Sequence, residues 1–260
     1  MTDFKYEEIA GMIDHALLAP TLTDQELQNG CELAKRYQVA TVCVKPSHVC
    51  LAYKLLESSK VEVCTVIGFP HGSNTTEVKV MEIKIACQQG ATEVDMVINL
   101  GKAKSGDWNY IENEITQACE TAHSLDAKLK VIFENDYWQD GGTGNHEGMI
   151  IEKLCLICEK INVDWIKTST GFGFVMQQDG RLATRGATFE DVSIMVNACS
   201  AKTQVKAAGG VKDLTTLLKM REIGATRIGT SSTANILEEC RSSLQLPPIE
   251  QIDPEIHPNY

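Results

Sequence analysis

The sequence predicts an α/β protein, a (β/α)8 TIM barrel in a single domain. Four features point to it. Short apolar runs alternate with helical patterns at roughly thirty-residue spacing along the whole chain. Eight such runs can be counted once the short one over Met12 to Leu18 is included. The runs are nearly continuous in apolar character, as expected for parallel strands covered on both faces. A chain of 260 residues is also the usual size for a closed barrel of this kind. An open doubly wound sheet shares the alternation, since periodicity by itself does not show closure; the count of eight favours the barrel. The barrel is expected to occupy residues 1–245, followed by a proline-rich tail from Leu246-Pro247-Pro248 to Tyr260.

Taken in order, Met12 to Leu18 is the first strand, broken by Asp14 and His15 and stopped at Pro20. Thr23-Asp24-Gln25-Glu26 has the capping-box pattern, and Leu27, Cys31 and Ala34 follow at helical spacing. Strands are predicted over Val39 to Val44 and Val61 to Phe69, separated by a helix over His48 to Glu57. Glu77 to Gln89 reads as a helix with Val78, Met81 and Ile85 on one face. A strand over Glu93 to Leu100, a helix over Tyr110 to Ser124 and a strand over Leu129 to Phe133 continue the series. Gly148 to Lys160 and Thr188 to Cys199 are helical around the strand at Trp165 to Thr170. Gln204 to Ala208 is the seventh strand and Arg227 to Ser232 the eighth, with helices over Leu214 to Ile223 and Ala234 to Cys240.

Composition narrows the function. The balance of 24 basic against 35 acidic residues, a net charge of −11, argues against nucleic acid or an anionic membrane as partner. A phosphorylated small molecule stays compatible, because a local nest of amides and a few lysines outweighs a distant acidic surface. The start of the chain, Met-Thr-Asp-Phe-Lys-Tyr-Glu-Glu, lacks an apolar core, and no apolar run reaches the length of a membrane span. Ten cysteines without framework spacing fit a reducing cytoplasm, with most of them behaving as small hydrophobes. Cys155-Leu-Ile-Cys158 has the spacing of a redox or zinc half-site, but no second pair accompanies it. No metal set, Walker loop or GxGxxG fingerprint is visible, so neither metal nor cofactor is expected.

The chemistry-bearing residues fall at strand ends, where barrel enzymes place their reacting groups. Asp14, Cys43, Asp95, Asn99, Glu134, Lys167 and Lys206 lie there, as do Gly209-Gly210 and Ser231-Ser232. Lys167 sits in Trp165-Ile166-Lys167-Thr168-Ser169-Thr170-Gly171, an apolar run that opens onto hydroxyls and glycine. A lysine there either snorkels to water or loses hydration and becomes available as a neutral amine. Lys206 lies on the next strand of the series. If both point inward, two ammonium groups share one low-dielectric site, which favours one neutral, nucleophilic lysine. Asp95 is a fitting counter-ion or proton shuttle. Ala207 to Lys212 and Gly229-Thr230-Ser231-Ser232 supply free amides and hydroxyls before helix N-termini, suited to a phosphate.

These pieces, with Ile13-Asp14-His15, Val42-Cys43-Val44, Val66 to Pro70, Glu93 to Asn99 and Lys130-Val131-Ile132, span nearly the whole chain. In that order they resemble the deoxyribose-phosphate aldolase family of class I (Schiff-base) aldolases. The resemblance implies reversible cleavage of 2-deoxy-D-ribose 5-phosphate to acetaldehyde and D-glyceraldehyde 3-phosphate, without a cofactor. It implies that Lys167 forms the imine, that Lys206 keeps the nucleophile deprotonated, and that Asp95 relays protons. Asp14 would orient a hydroxyl or water. Cys43, Thr168 and Gly229 would line the substrate site, and Gly171, Gly209, Gly210, Ser231 and Ser232 would receive the phosphate. A cytoplasmic enzyme of deoxyribonucleotide and carbohydrate breakdown, acting as a homodimer or other homo-oligomer, is the family expectation. Three features depart from the family: Ala16 in place of threonine, Lys212 in place of arginine, and a longer segment over Phe174 to Arg185. Arg181 and Arg185 make that segment a candidate phosphate cover, and Tyr260 is a candidate proton relay at the barrel mouth. The alternatives are a Schiff-base aldolase with a different aldehyde acceptor, or a barrel that binds a sugar phosphate without catalysis.

Overall fold

The computed structural model describes residues 4–138, 146–176 and 180–249. Six parallel strands come first: β1 (Ile13–Leu17), β2 (Thr41–Val44), β3 (Glu62–Ile67), β4 (Glu93–Val97), β5 (Lys128–Ile132) and β6 (Trp165–Lys167). A two-stranded antiparallel ribbon, β7 (Val175–Met176) and β8 (Leu182–Ala183), interrupts the series. β9 (Gln204–Ala208) and β10 (Arg227–Thr230) then complete a closed barrel in which β10 pairs with β1 and β9 with β6. The predicted barrel and its eight strands are therefore present. The ribbon is what the long segment after the sixth strand becomes.

Ten helices among the described residues surround the sheet. They are α1 (Tyr6–Ala10), α2 (Asp24–Tyr37), α3 (Val49–Leu56), α4 (Thr76–Gln88), α5 (Leu100–Lys104), α6 (Trp108–His123), α7 (His146–Ile161), α8 (Phe189–Ala198), α9 (Leu214–Ile223) and α10 (Thr233–Ser243). The start of α2 shows why local sequence suffices for many of them. Thr23 Oγ1 accepts the Glu26 N–H at 3.3 Å while Glu26 Oε2 accepts the Thr23 N–H at 2.7 Å, and Leu27, Cys31 and Ala34 are buried at the predicted spacing. All ten cysteines are free thiols, and Cys155 and Cys158 are packed into the core. No helix among the described residues is long and apolar enough to cross a membrane.

Two helices were not foreseen. The five-residue α1 and α5 are too short to show a helical period, and α5 is announced only by its cap. Asn99 accepts the Lys102 N–H at 3.1 Å with its side chain, so this strand-end residue starts a helix. The face of α4 carrying Val78, Met81 and Ile85 points to solvent, opposite to what its apolar character suggests. The buried face carries Thr76, Lys79, Ile83 and Ala86 instead. Lys79 explains the inversion. Its ammonium reaches under the helix to Glu114 Oε1 at 2.7 Å and to the Val97 carbonyl at 2.8 Å, while Glu114 Oε2 accepts the Asn99 N–H at 2.9 Å. Burial pulls Lys79 down and pushes Glu114 up, so desolvation outweighs their mutual attraction.

Breaking this pair should be costly and replacing it cheap. Lys79→Met alone is expected to lower stability in urea unfolding by about 3–5 kcal/mol, because Glu114 is left buried without its counter-ion. The double variant K79M/E114L is expected to recover most of that loss. A single variant as stable as the parent would contradict the assignment.

Candidate active site

Alternate side chains of each strand point into the barrel, and the register stacks the charged ones in layers. By register Arg227 is the partner of Lys206, Lys206 of Lys167 and Lys130 of Asp95, and the tilt of the strands steps these partners along the barrel axis. The lowest layer is built on Arg227. Its Nη1 donates to Asp14 Oδ1 at 2.5 Å, and its two terminal nitrogens hold Glu93 at 3.1 Å each. The guanidinium lies 4.8 Å from the centre of the Trp165 ring.

The next layer converges on one carboxylate. Asp95 Oδ2 accepts from Lys167 Nζ at 2.8 Å and from Lys206 Nζ at 2.7 Å. Asp95 Oδ1 accepts from Lys130 Nζ at 2.9 Å and from the Cys64 thiol at 3.2 Å. Lys130 also pairs with Glu93 at 2.5 Å and Asp14 at 3.4 Å, and Lys206 donates to Asp14 Oδ2. All these groups are buried. Burial alone would raise the Asp95 carboxyl, but Lys130, Lys167 and Lys206 outweigh it and hold it well below the usual carboxylate range. Asp14 is held down in the same way by Lys130, Lys206 and Arg227. Burial would pull Lys206 down, yet Asp14 and Asp95 carry it above the usual lysine value, and Lys130 is raised likewise.

Above this layer opens a cavity of about 290 Å³. Asp14, Lys167 and Lys206 line it, with Ala16, Leu18, Cys43 and Phe172 forming an apolar stretch of wall. Gly171, Gly209, Gly210, Lys212, Gly229, Ser231 and Ser232 form a polar stretch. The loops after β9 and β10 are fixed to one another there: Thr230 Oγ1 donates to the Val211 carbonyl at 2.7 Å and accepts the Ser232 N–H at 2.9 Å. Ser232 is also the N-cap of α10, so the positive end of that helix's dipole faces this stretch.

Most sequence-selected residues therefore meet. Asp14, Cys43, Lys167, Gly171, Lys206, Gly209, Gly210, Gly229, Ser231 and Ser232 border one cavity, and Asp95 lies beneath its lysines. Thr168 does not border it. Its Oγ1 donates to the Ala208 carbonyl and accepts the Ala208 N–H, both at 3.0 Å, which ties β6 to β9. Arg185 borders the cavity, but its guanidinium is directed to Asp191 at 3.0 Å and the Asn135 carbonyl at 3.3 Å. Arg181 is exposed beside residues 177–179, which lie outside the described residues, as does Tyr260.

Sequence reasoning passed over Lys130, Glu93 and Arg227. Lys130 carried the same signal as Lys167, a lysine inside an apolar run; Glu93 and Arg227 open their strands and resembled ordinary edge charges. The ligand atoms of Cys43, Cys64 and Asp95, and of Asp14, Cys64 and Glu93, lie within 4.8 Å of one another. The carboxylates of both sets already accept from lysine or arginine, and those cations oppose a metal ion in the same space.

Glu134 closes the cluster from the side. Burial pushes its carboxyl up to about 7, against the bonds from Thr170, with Asp136 adding and Lys167 opposing. A raised carboxyl favours the protonated folded state, so its contribution to stability is fully present below about 4.5 and is lost as pH rises through about 7. The stability of Glu134→Gln relative to the parent is therefore expected to rise over that window by up to about 3 kcal/mol in urea unfolding. A difference that does not change with pH would contradict this.

The chain and its fold are similar to those of known aldolases. A family model described as DeoC/LacD family aldolase matches residues 9–239. A deoxyribose-phosphate aldolase of Rhodopirellula baltica is 44% identical over 250 residues, covering 96% of this chain and 96% of that one. One from Thermococcus gammatolerans is 41% identical over 238 residues, covering 91% and 98%. Among solved structures, an aldolase designated QR15 superposes with a TM-score of 0.79 at 37% identity, covering 94% of this chain and 99% of that one. The deoxyribose phosphate aldolase from Aeropyrum pernix, described as a unique tetramer, gives 0.79 at 28% identity, covering 92% and 93%. The match runs through every strand of the barrel, and the chain belongs to the DeoC/LacD family of aldolases.

Proposed function

We propose that this aldolase cleaves 2-deoxy-D-ribose 5-phosphate reversibly to acetaldehyde and D-glyceraldehyde 3-phosphate through an imine on Lys167. The observation that carries the reading is the convergence of three lysines on Asp95, with Lys167 at the cavity and held by one carboxylate bond. Four basic groups (Lys130, Lys167, Lys206, Arg227) face three carboxylates (Asp14, Glu93, Asp95), so the cluster is neutral with one amine uncharged. Lys206 is fixed between Asp14 and Asp95, and Lys130 among three carboxylates, which leaves Lys167 as the free amine.

Lys167 Nζ adds to the aldehyde carbon C1, and loss of water gives the iminium. A base removes the proton of the C3 hydroxyl, the C2–C3 bond breaks, and its electrons enter the iminium to give an enamine and glyceraldehyde 3-phosphate. Protonation at C2 and addition of water then release acetaldehyde and restore the amine. Lys206 is the nearest charged donor and Asp95 the ionised acceptor, so the pair moves these protons. Asp14 orients a hydroxyl or water. The phosphate rests against Gly171, Gly209, Gly210, Ser231 and Ser232, where glycine lets backbone approach closely and the α10 dipole favours an anion. Ala16, a methyl on the apolar wall where a hydroxyl is usual, supports tolerance of other aldehyde acceptors. Cytoplasmic, homo-oligomeric action in deoxyribose phosphate breakdown accompanies this reading.

Borohydride reduction in the presence of acetaldehyde is expected to attach an ethyl group to Lys167, located by peptide mass mapping, and Lys167→Met should show none. Lys206→Met is expected to lower kcat by about 100-fold or more. Substrate binding without any trapped adduct would favour a sugar-phosphate-binding barrel instead.

A further inference from the structure

One buried acid beside the site has no part in the chemistry above. Glu134 follows β5 and takes a left-handed backbone conformation, φ 55° and ψ 62°, which is uncommon for a side-chain-bearing residue. Its neighbours pin it there. The Phe133 N–H donates to the Lys167 carbonyl and the Asn135 N–H to the Thr168 carbonyl, both at 2.9 Å, so the backbone on either side is bonded to the catalytic strand and its extension. The side chain then reaches under the turn that follows Lys167. Oε1 accepts the Thr170 N–H at 3.0 Å and Oε2 accepts the Thr170 hydroxyl. Thr170 Oγ1 in turn accepts the Phe172 N–H at 2.9 Å. The fit continues to Gly173, where an added Cβ would stand 2.9 Å from the Glu134 carboxyl carbon.

Thr170, Gly171 and Phe172 border the cavity, whereas Glu134 does not. Gly171 has φ +84°, a conformation that favours glycine, and a Cβ added there would meet nothing within 4 Å. The Phe172 ring packs edge-to-face on Phe69 at 5.4 Å, and the backbone of the turn is tied by the chain of bonds from Glu134 through Thr170 to the Phe172 amide. We propose that Glu134 is a positioning residue that acts through Thr170 to hold the Thr170–Phe172 turn where Gly171 receives the substrate phosphate. The inference rests on the phosphate placement given above and adds a residue that never touches substrate.

Gln at position 134 keeps the size but presents an N–H where the ionised carboxylate gives Thr170 Oγ1–H an acceptor, so the variants are compared at pH 8, above the Glu134 value of about 7. Val at position 170 removes the hydroxyl link altogether. Both E134Q and T170V are expected to raise KM for 2-deoxyribose 5-phosphate by about tenfold or more, with kcat within about threefold of the parent. KM for unphosphorylated 2-deoxyribose should not move, and borohydride trapping with acetaldehyde should persist. Because one residue acts through the other, E134Q/T170V should be no worse than either single variant, and Thr170→Ser should restore the parental KM. Equal KM increases for both sugars, additive losses, or a fall in kcat with KM unchanged would each overturn the proposal. If E134Q fails to fold by circular dichroism, T170V and T170S decide the matter by the same two KM values. Absence of trapping or of phosphate preference in the parent enzyme would sink the activity reading itself, and that is seen before any variant is made.

Discussion

Three lysine amines share the carboxylate of Asp95, and much of the barrel interior is arranged so that they can. Bringing Lys130, Lys167 and Lys206 together in a low-dielectric space is strongly unfavourable without a counter-charge. Asp95 supplies it at the centre, with Asp14 and Glu93 behind it and Arg227 closing the lower layer. The arrangement needs β1, β4, β5, β6, β9 and β10 to be in register at once, because each contributes one or more of the groups. Barrel closure is thus a condition of the site, since β10 carries Arg227 to β1, which carries Asp14.

The same constraint assigns different work to chemically similar residues. Lys130 is surrounded by carboxylates and a thiol and is sealed from the cavity, so it acts as a fixed positive charge. Lys206 reaches the cavity but is held by two carboxylates. Lys167 reaches it with one. In the proposed mechanism, nucleophile, proton donor and structural cation differ in how many anions each amine touches and whether it meets the cavity.

Much of this was legible in the sequence. Eight apolar runs gave the barrel, and a lysine inside one of them, ahead of hydroxyls and glycine, gave Lys167. Lys206 and Asp95 followed by the same reasoning, as charges where a strand should be apolar. The rest depends on partners distant along the chain. Arg227 bonds Asp14 across 213 residues, so nothing near either residue marks the pair. The orientation of α4 is hidden for the same reason: Glu114, the partner of Lys79, lies on another helix, and the apolar Val78, Met81 and Ile85 face outward where the lysine turns in. The resemblance placed Thr168 at the substrate site. Strand alternation instead sends it to Ala208 on β9, where it holds two strands together.

The central claim is that Lys167 becomes the imine nitrogen while Asp95 and Lys206 keep their places. A crystal structure of the enzyme reduced with borohydride in acetaldehyde tests it most directly. The account predicts a carbon bonded to Lys167 Nζ, with Asp95 still bridging that nitrogen and Lys206. An adduct on Lys206 or Lys130, or an Asp95 carboxylate turned away from both amines, would contradict it.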